Sequence, residues 1–249
     1  MAEAETASLH VLAFGAHPDD VELSCGGTLL AEAAKGYRTG IVDLTRGELG
    51  TRGTAEDRDK EANDAAAILG LSSRENLRLA DGFFRVDRAS LEAVVRAIRQ
   101  HRPTVVLANA QHDRHPDHGR GGDLVQEACF LAGLRQMETS LNGVSQEAFR
   151  PKALYRYIQD RWIKPDLVVD ISGFIDPKME AIKAYRTQFF DPASTEPQTY
   201  ISTSAFMDGL LSRSREMGRM AGYEYGEGYT SVVVPGYQSL CAGIVGLPG

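Results

Sequence analysis

The chain has 249 residues, 43% of them hydrophobic and 24% charged, enough for one large or two small hydrophobic cores. A formal net charge of −7 argues against a broad nucleic-acid or anionic-membrane surface, and an anionic substrate would need a locally basic pocket. The three cysteines, Cys25, Cys129 and Cys241, are far apart with no CxxC and read as free thiols of a reducing compartment.

In chain order, residues 9–16 form a short apolar run of buried-strand type. The pattern is helical from Val21 to Lys35, with Gly36 as a stop. Residues 39–45 read as a second strand, and 54–70 as a helix capped by Thr54 and closed by Gly70. Residues 75–80 are expected as strand three and 89–101 as an amphipathic helix, with strand four at 104–109 after Pro103. Beyond that come a helix over 120–133, a polar stretch to about residue 150, and strands at 153–159 and 167–172. Helices around 176–188 and 203–220 precede a Gly- and Tyr-rich tail, GYEYGEGY (222–229). Strands alternating with helices mean βαβ units and a parallel sheet, an α/β Rossmann-like fold. No composition break divides it, so residues 1–249 read as one domain. MAEAETASLH is not a secretory signal, and no apolar run approaches the roughly 20 residues of a membrane span, so the expectation is a cytoplasmic protein.

Two clusters carry chemistry. FGAHPDDVEL (14–23) places His17, Asp19 and Asp20 where strand one gives way to a helix. HDRHPDH (112–118) follows strand four. In an open sheet of order 3-2-1-4-5, strands one and four are neighbours where the order reverses, and ligands bind there, outside the carboxyl ends of the strands. Both clusters therefore face one crevice. Catalytic zinc takes three protein ligands, often two histidines and a carboxylate, and keeps a position for water. His17 and Asp20, three residues apart, can converge on such an ion, and a histidine of the second cluster supplies the third ligand. Asp19 is then free to take a proton from the water that the metal acidifies. Each cluster alone could be a capping turn; together at adjacent strand ends they point to a metal site. The ligand set also accepts iron, cobalt or manganese. His10, His101 and His112 lack this placement and read as surface or helix-end residues. The run GELGTRG (47–53) reads as a loop roofing the crevice.

AHPDDVE (16–22) with HPDH (115–118) resembles the LmbE-like, or PIG-L-type, zinc-dependent N-deacetylases. TRGELGTRGT (45–54), Arg58 with Glu61, and AAAILG (65–70) are also similar to that family. RENLRLAD (74–81), AYRTQF (184–189) and GYEYGEGY resemble its bacillithiol-biosynthesis branch, which deacetylates N-acetylglucosaminyl-malate. The resemblance implies that His17, Asp20 and His118 bind zinc and that Asp19 is the general base. It implies that His115 stabilises the oxyanion, held and kept protonated by Asp117. It also implies that Arg58 and Arg114 hold the malate carboxylates and that Tyr200 closes over the substrate. Where some members carry a tyrosine as general acid, this chain has Asp113. The expected partner is a small amino-sugar substrate, with no nucleic acid and no membrane; the apolar tail 239–249 suggests a homo-oligomer. The alternatives are a deacetylase of another N-acetylglucosamine conjugate and a non-catalytic metal or sugar-phosphate binding module.

Overall fold

The computed structural model describes residues 8–236. Cys241 and the apolar tail at 239–249 lie outside the described residues. The first half follows the expected alternation: β1 (Val11–Gly15), α1 (Asp20–Ala34), β2 (Thr39–Asp43), α2 (Ala55–Leu69), β3 (Ser73–Asn76), α3 (Arg88–His101) and β4 (Val105–Ala108). β1 pairs in parallel with β2 on one side and β4 on the other, Val11 standing opposite Thr39 and Val105. α4 (Pro116–Ala132) follows, then a two-stranded antiparallel ribbon of β5 (Ser140–Leu141) and β6 (Val144–Ser145) in the polar stretch. β7 (Ala153–Tyr157), β8 (Leu167–Asp170), α5 (Ile175–Lys183), α6 (Ser204–Met220) and β9 (Gly226–Ser231) complete the chain.

The main sheet has seven strands in the order β3-β2-β1-β4-β7-β9-β8. It is parallel from β3 to β7, and β9 runs antiparallel to both of its neighbours. Alternate strand residues feed two cores. Leu12, Phe14, Val42 and Val106 pack against α3 and α4 on one face, while Val11, Ala13, Ile41 and Leu107 join α1 residues on the other. The fold is thus a doubly wound α/β domain, and the order reverses between β1 and β4, as expected.

Helix ends follow from local chemistry. The Thr54 hydroxyl accepts from Asp57 N while the Asp57 carboxylate accepts from Thr54 N, a closed capping box. Asp87 caps α3 by accepting from Ser90 N.

Three elements differ from expectation. β3 lies earlier, at Ser73–Asn76, because Arg74 is buried in the sheet by Asp43 and Glu22. α4 begins at Pro116 rather than near 120, so HPDH is the start of a helix and not a strand-end loop. The Gly- and Tyr-rich tail, for which no strand was expected, runs into β9. Its glycines permit close packing, since a Cβ on Gly226 would meet the backbone of Gly218 in α6 at 2.9 Å.

Candidate metal centre

His17 leaves the end of β1, and Asp19 follows at φ 119°, a left-handed conformation that a non-glycine residue holds only under constraint. Asp19 occupies the N-cap position of α1, yet its side chain makes no capping hydrogen bond. The capping interpretation therefore does not apply to it. Its carboxylate is instead buried 3.5 Å from Arg58 Nη1.

Asp20 is differently placed. One of its oxygens lies 3.1 Å from His118 Nε2, and the other 3.6 Å from His17 Nδ1. The same carboxylate accepts from the His17 amide (3.0 Å), Asn109 Nδ2 (3.0 Å) and Gln159 Nε2 (3.1 Å). Asn109 and Gln159 follow β4 and β7, so three strand ends orient one carboxylate.

Each imidazole also turns its other nitrogen to a carboxylate. His118 Nδ1 meets Asp113 at 2.5 Å, and His17 Nε2 meets Asp81 at 3.0 Å and Asp117 at 3.4 Å. A histidine whose far nitrogen is fixed by a carboxylate is the usual arrangement around a bound metal. His115 caps α4, its Nδ1 accepting from Asp117 N, and that leaves Nε2 as the donor. The carboxylate of Asp117 does not hold His115, contrary to the expected pairing. It accepts from Gly82 N (2.8 Å) and Arg120 (2.7 Å) and faces His17. The physical reason is the helix start, which aims the Asp117 amide at the His115 ring and its carboxylate toward the loop at Gly82.

The electrostatics agree. Burial works against charge on His118, but Asp20 and Asp113 push it up to about 9. Burial likewise opposes a charged His17, which hydrogen bonds to Asp117, Asp20 and Asp81 hold well above its ordinary value. Asp20 is lowered by the two imidazoles despite its burial. Burial raises Asp19 to about 7 against the pull of Arg58. His115 is lowered by burial and by the neighbouring imidazoles. Asp19, Asp20, Asp81, Asp113 and Asp117 thus surround His17 and His118, which take up protons to offset them, a setting that a cation also satisfies. Two imidazole nitrogens and one carboxylate form a donor set suited to zinc. His17, His115 and His118 also bring one ring nitrogen each within 4.8 Å of one another, as do His17, Asp81 and Asp117 with their ligand atoms. Asp20 is distinguished by facing both His17 and His118, at nitrogens that their outer carboxylates leave free.

A cleft of about 220 Å³ opens on this cluster, lined by His17, Asp19, Asp20, Arg58, Arg114, His115 and His118. Leu49 and Gly50 of the expected roof also line it. Asp117 sits behind His17, fully buried, and Tyr200 lies outside with its ring 4.7 Å from the Arg114 guanidinium. Arg58, expected to hold a malate carboxylate, is bound within the protein: its Nη1 donates to Pro18 O and its Nη2 to Gln188 Oε1, while its buried Nε has no hydrogen-bond partner among the described residues. Sequence reasoning missed Asp81, Asn109, Gln159 and Arg213. The only signal for Asp81 is that it ends RENLRLAD.

A doubly wound sheet with a His/Asp cluster at its switch point defines the class: an α/β domain with a candidate metal site outside the carboxyl ends of its strands. Residues 12–129 match the family model described as PIG-L: GlcNAc-PI de-N-acetylase. The crystal structure of the conserved protein TT1542 from Thermus thermophilus superposes with a TM-score of 0.82 at 38% identity, over 92% of this chain and 97% of that one. Diacetylchitobiose deacetylase of Thermococcus kodakarensis is 29% identical over 230 residues, 88% of this chain and 81% of the relative. A probable N-acetyl-alpha-D-glucosaminyl L-malate deacetylase 2 of Bacillus anthracis is 26% identical over 193 residues, 72% of this chain and 81% of the relative. The chain belongs to the PIG-L family, and it is an N-deacetylase. The relatives are named for different amino sugars, so the aglycone has to be argued from the site.

Proposed function

We propose that this protein removes the acetyl group from an N-acetylglucosamine conjugate with the aid of one divalent metal, zinc by its donor set, and that the conjugate is N-acetylglucosaminyl-malate of bacillithiol biosynthesis. The observation that carries the reading is Asp20 set between His17 Nδ1 and His118 Nε2, with Asp19 kept apart beside Arg58. His17, Asp20 and His118 would hold the metal, which supplies acidification of water and polarisation of the acetyl carbonyl. Asp19, raised to about 7, is matched to accept a proton from the attacking water and return it to the leaving amine. His115, neutral and with Nε2 as donor, hydrogen-bonds the acetyl oxygen as negative charge develops. Asp113, Asp81 and Asp117 fix the two ligand imidazoles.

Malate is supported by Arg114, which lines the cleft beside His115 with its side chain about half exposed, and by the name of the Bacillus relative. Residues 1–249 act as one domain in this reading. A cytoplasmic location is supported by two buried free thiols, Cys25 and Cys129. No helix among the described residues is long and apolar enough to cross a membrane. The test is acetate release from a panel of N-acetylglucosaminides of varied aglycone, before and after treatment with a chelator. Release that needs added metal and is fastest on the malate conjugate supports the whole reading. Metal-dependent release that ignores the aglycone leaves the deacetylase and removes malate.

A further inference from the structure

Part of the cleft wall is apolar, made by Leu23, Ile201, Phe206 and Leu210, and two guanidiniums, Arg114 and Arg213, line the same cleft. Asp160 stands between them. Arg114 Nε lies 3.5 Å from one of its oxygens, and Arg213 Nη2 lies 3.9 Å from the other. Both separations exceed the roughly 2.7–2.9 Å of a good charge-assisted hydrogen bond. The Tyr200 hydroxyl donates to the Asp160 oxygen that faces Arg213, at 3.0 Å. Arg213 has one closer contact, its Nη2 donating to the Asp160 carbonyl at 3.2 Å, and its Nε and Nη1 make no hydrogen bond among the described residues. That carbonyl is one residue beyond Gln159, which holds Asp20, so Arg213 is tied to the same strand end as the metal cluster. Burial lowers its pKa, and Asp160 and Asp113 offset this only in part. Two guanidiniums thus face one carboxylate, Asp160, and neither holds it with a short charge-assisted bond.

We infer that Arg213 is a specificity-determining residue, and that with Arg114 it forms a seat for an anionic group, carboxylate or phosphate, carried by the substrate beyond its N-acetyl sugar. Guanidinium forks match both groups two bonds at a time. The apolar wall beside them lowers the local dielectric, which strengthens that attraction relative to open water. Arg58 is the poorer second fork, because its side chain is only 7% exposed and its Nη1 and Nη2 already donate to Pro18 O and Gln188. The inference rests on the deacetylase reading and adds the residue by which that site selects its substrate.

The test compares three substrates on the metal-loaded enzyme: N-acetylglucosaminyl-malate, its dimethyl ester, and N-acetylglucosamine 1-phosphate. The wild-type protein is expected to prefer one of the two anions to the ester, and which one it prefers identifies the anion. Arg213→Gln is expected to lower the ratio of kcat/KM between that anion and the ester by about tenfold or more, mainly through KM, the usual worth of one charged hydrogen bond. Arg213→Lys should recover part of the ratio. If Arg213→Gln loses its native melting transition, the ratio is read from Arg213→Lys and Arg114→Gln. Equal kcat/KM on all three substrates in the wild type, or an unchanged ratio in the variants, would overturn the seat while leaving the deacetylase intact. Absence of acetate release from every substrate would overturn the deacetylase reading and the seat together.

Discussion

Asp19 and Arg58 lie 3.5 Å apart, both side chains 7% exposed, with the Arg58 guanidinium also bound to the carbonyl of Pro18. The arginine therefore grips the HPDD turn at the strained residue and at the carbonyl that precedes it. Its removal should loosen the base instead of a substrate carboxylate. Arg58→Ala is expected to depress kcat on the malate conjugate and on plain N-acetylglucosamine alike, by about tenfold or more, the scale of one charged contact. Steady-state kinetics on both substrates checks this. A loss confined to KM for malate would return Arg58 to the anion-holding role that the family resemblance implies.

Asp19→Asn should bind metal normally and lose turnover, because an amide cannot accept the proton of the attacking water. The expected fall in kcat is roughly 10²–10⁴-fold, the usual worth of a general base. Metal content by elemental analysis, measured beside kcat, separates this from a structural defect. Wild-type turnover in the variant would reduce Asp19 to a strained turn residue.

His118→Ala should remove most of the metal, since His17 and Asp20 alone cannot hold it as three ligands do. The carboxylates behind the imidazoles should act more gently. Asp113→Asn and Asp117→Asn are each expected to weaken metal binding about 10–100-fold, as loss of an outer hydrogen bond to a ligand histidine does. Competition with a chelator of known affinity measures it. For Asp117 the result is decisive: a loss of kcat at unchanged metal affinity would put its carboxylate back on His115, against the contacts to Gly82, Arg120 and His17.

The meeting of the triad His17, Asp20 and His118 was legible because they lie within short motifs, and parallel strand order brings those motifs together. The polar residues that orient the triad were not. Asp81, Asn109 and Gln159 come singly from different strand ends, and nothing in their local sequence marks them. The surroundings of Arg58 were not legible for a similar reason, since its partner Gln188 is 130 residues away and its burial is a tertiary fact. β9 was missed because glycine is disfavoured in strands by its own backbone freedom. Packing overrides that preference: Tyr229 is fully enclosed, and Glu227 reaches across to α1.

That reach sets up a test of stability. Glu227 accepts from the amides of Gly27 and Thr28 in α1, at 3.0 and 2.7 Å, and from Lys178 Nζ at 2.6 Å. Both charged side chains are nearly inaccessible, 3% and 2% exposed, so neither can exchange its partner for water. Removing the lysine leaves a carboxylate buried with two neutral donors and no countercharge. Lys178→Met should therefore cost about 3–5 kcal/mol, the scale seen when one member of a buried pair is deleted. Glu227→Gln added to it removes the stranded charge and keeps one acceptor for the α1 amides, so the double variant should regain part of the loss. Denaturant unfolding of the three proteins, with equal m-values required for comparison, gives the numbers. A single variant as stable as the wild type would mean that water reaches Glu227 and that the strand is held by Tyr229 and its neighbours alone.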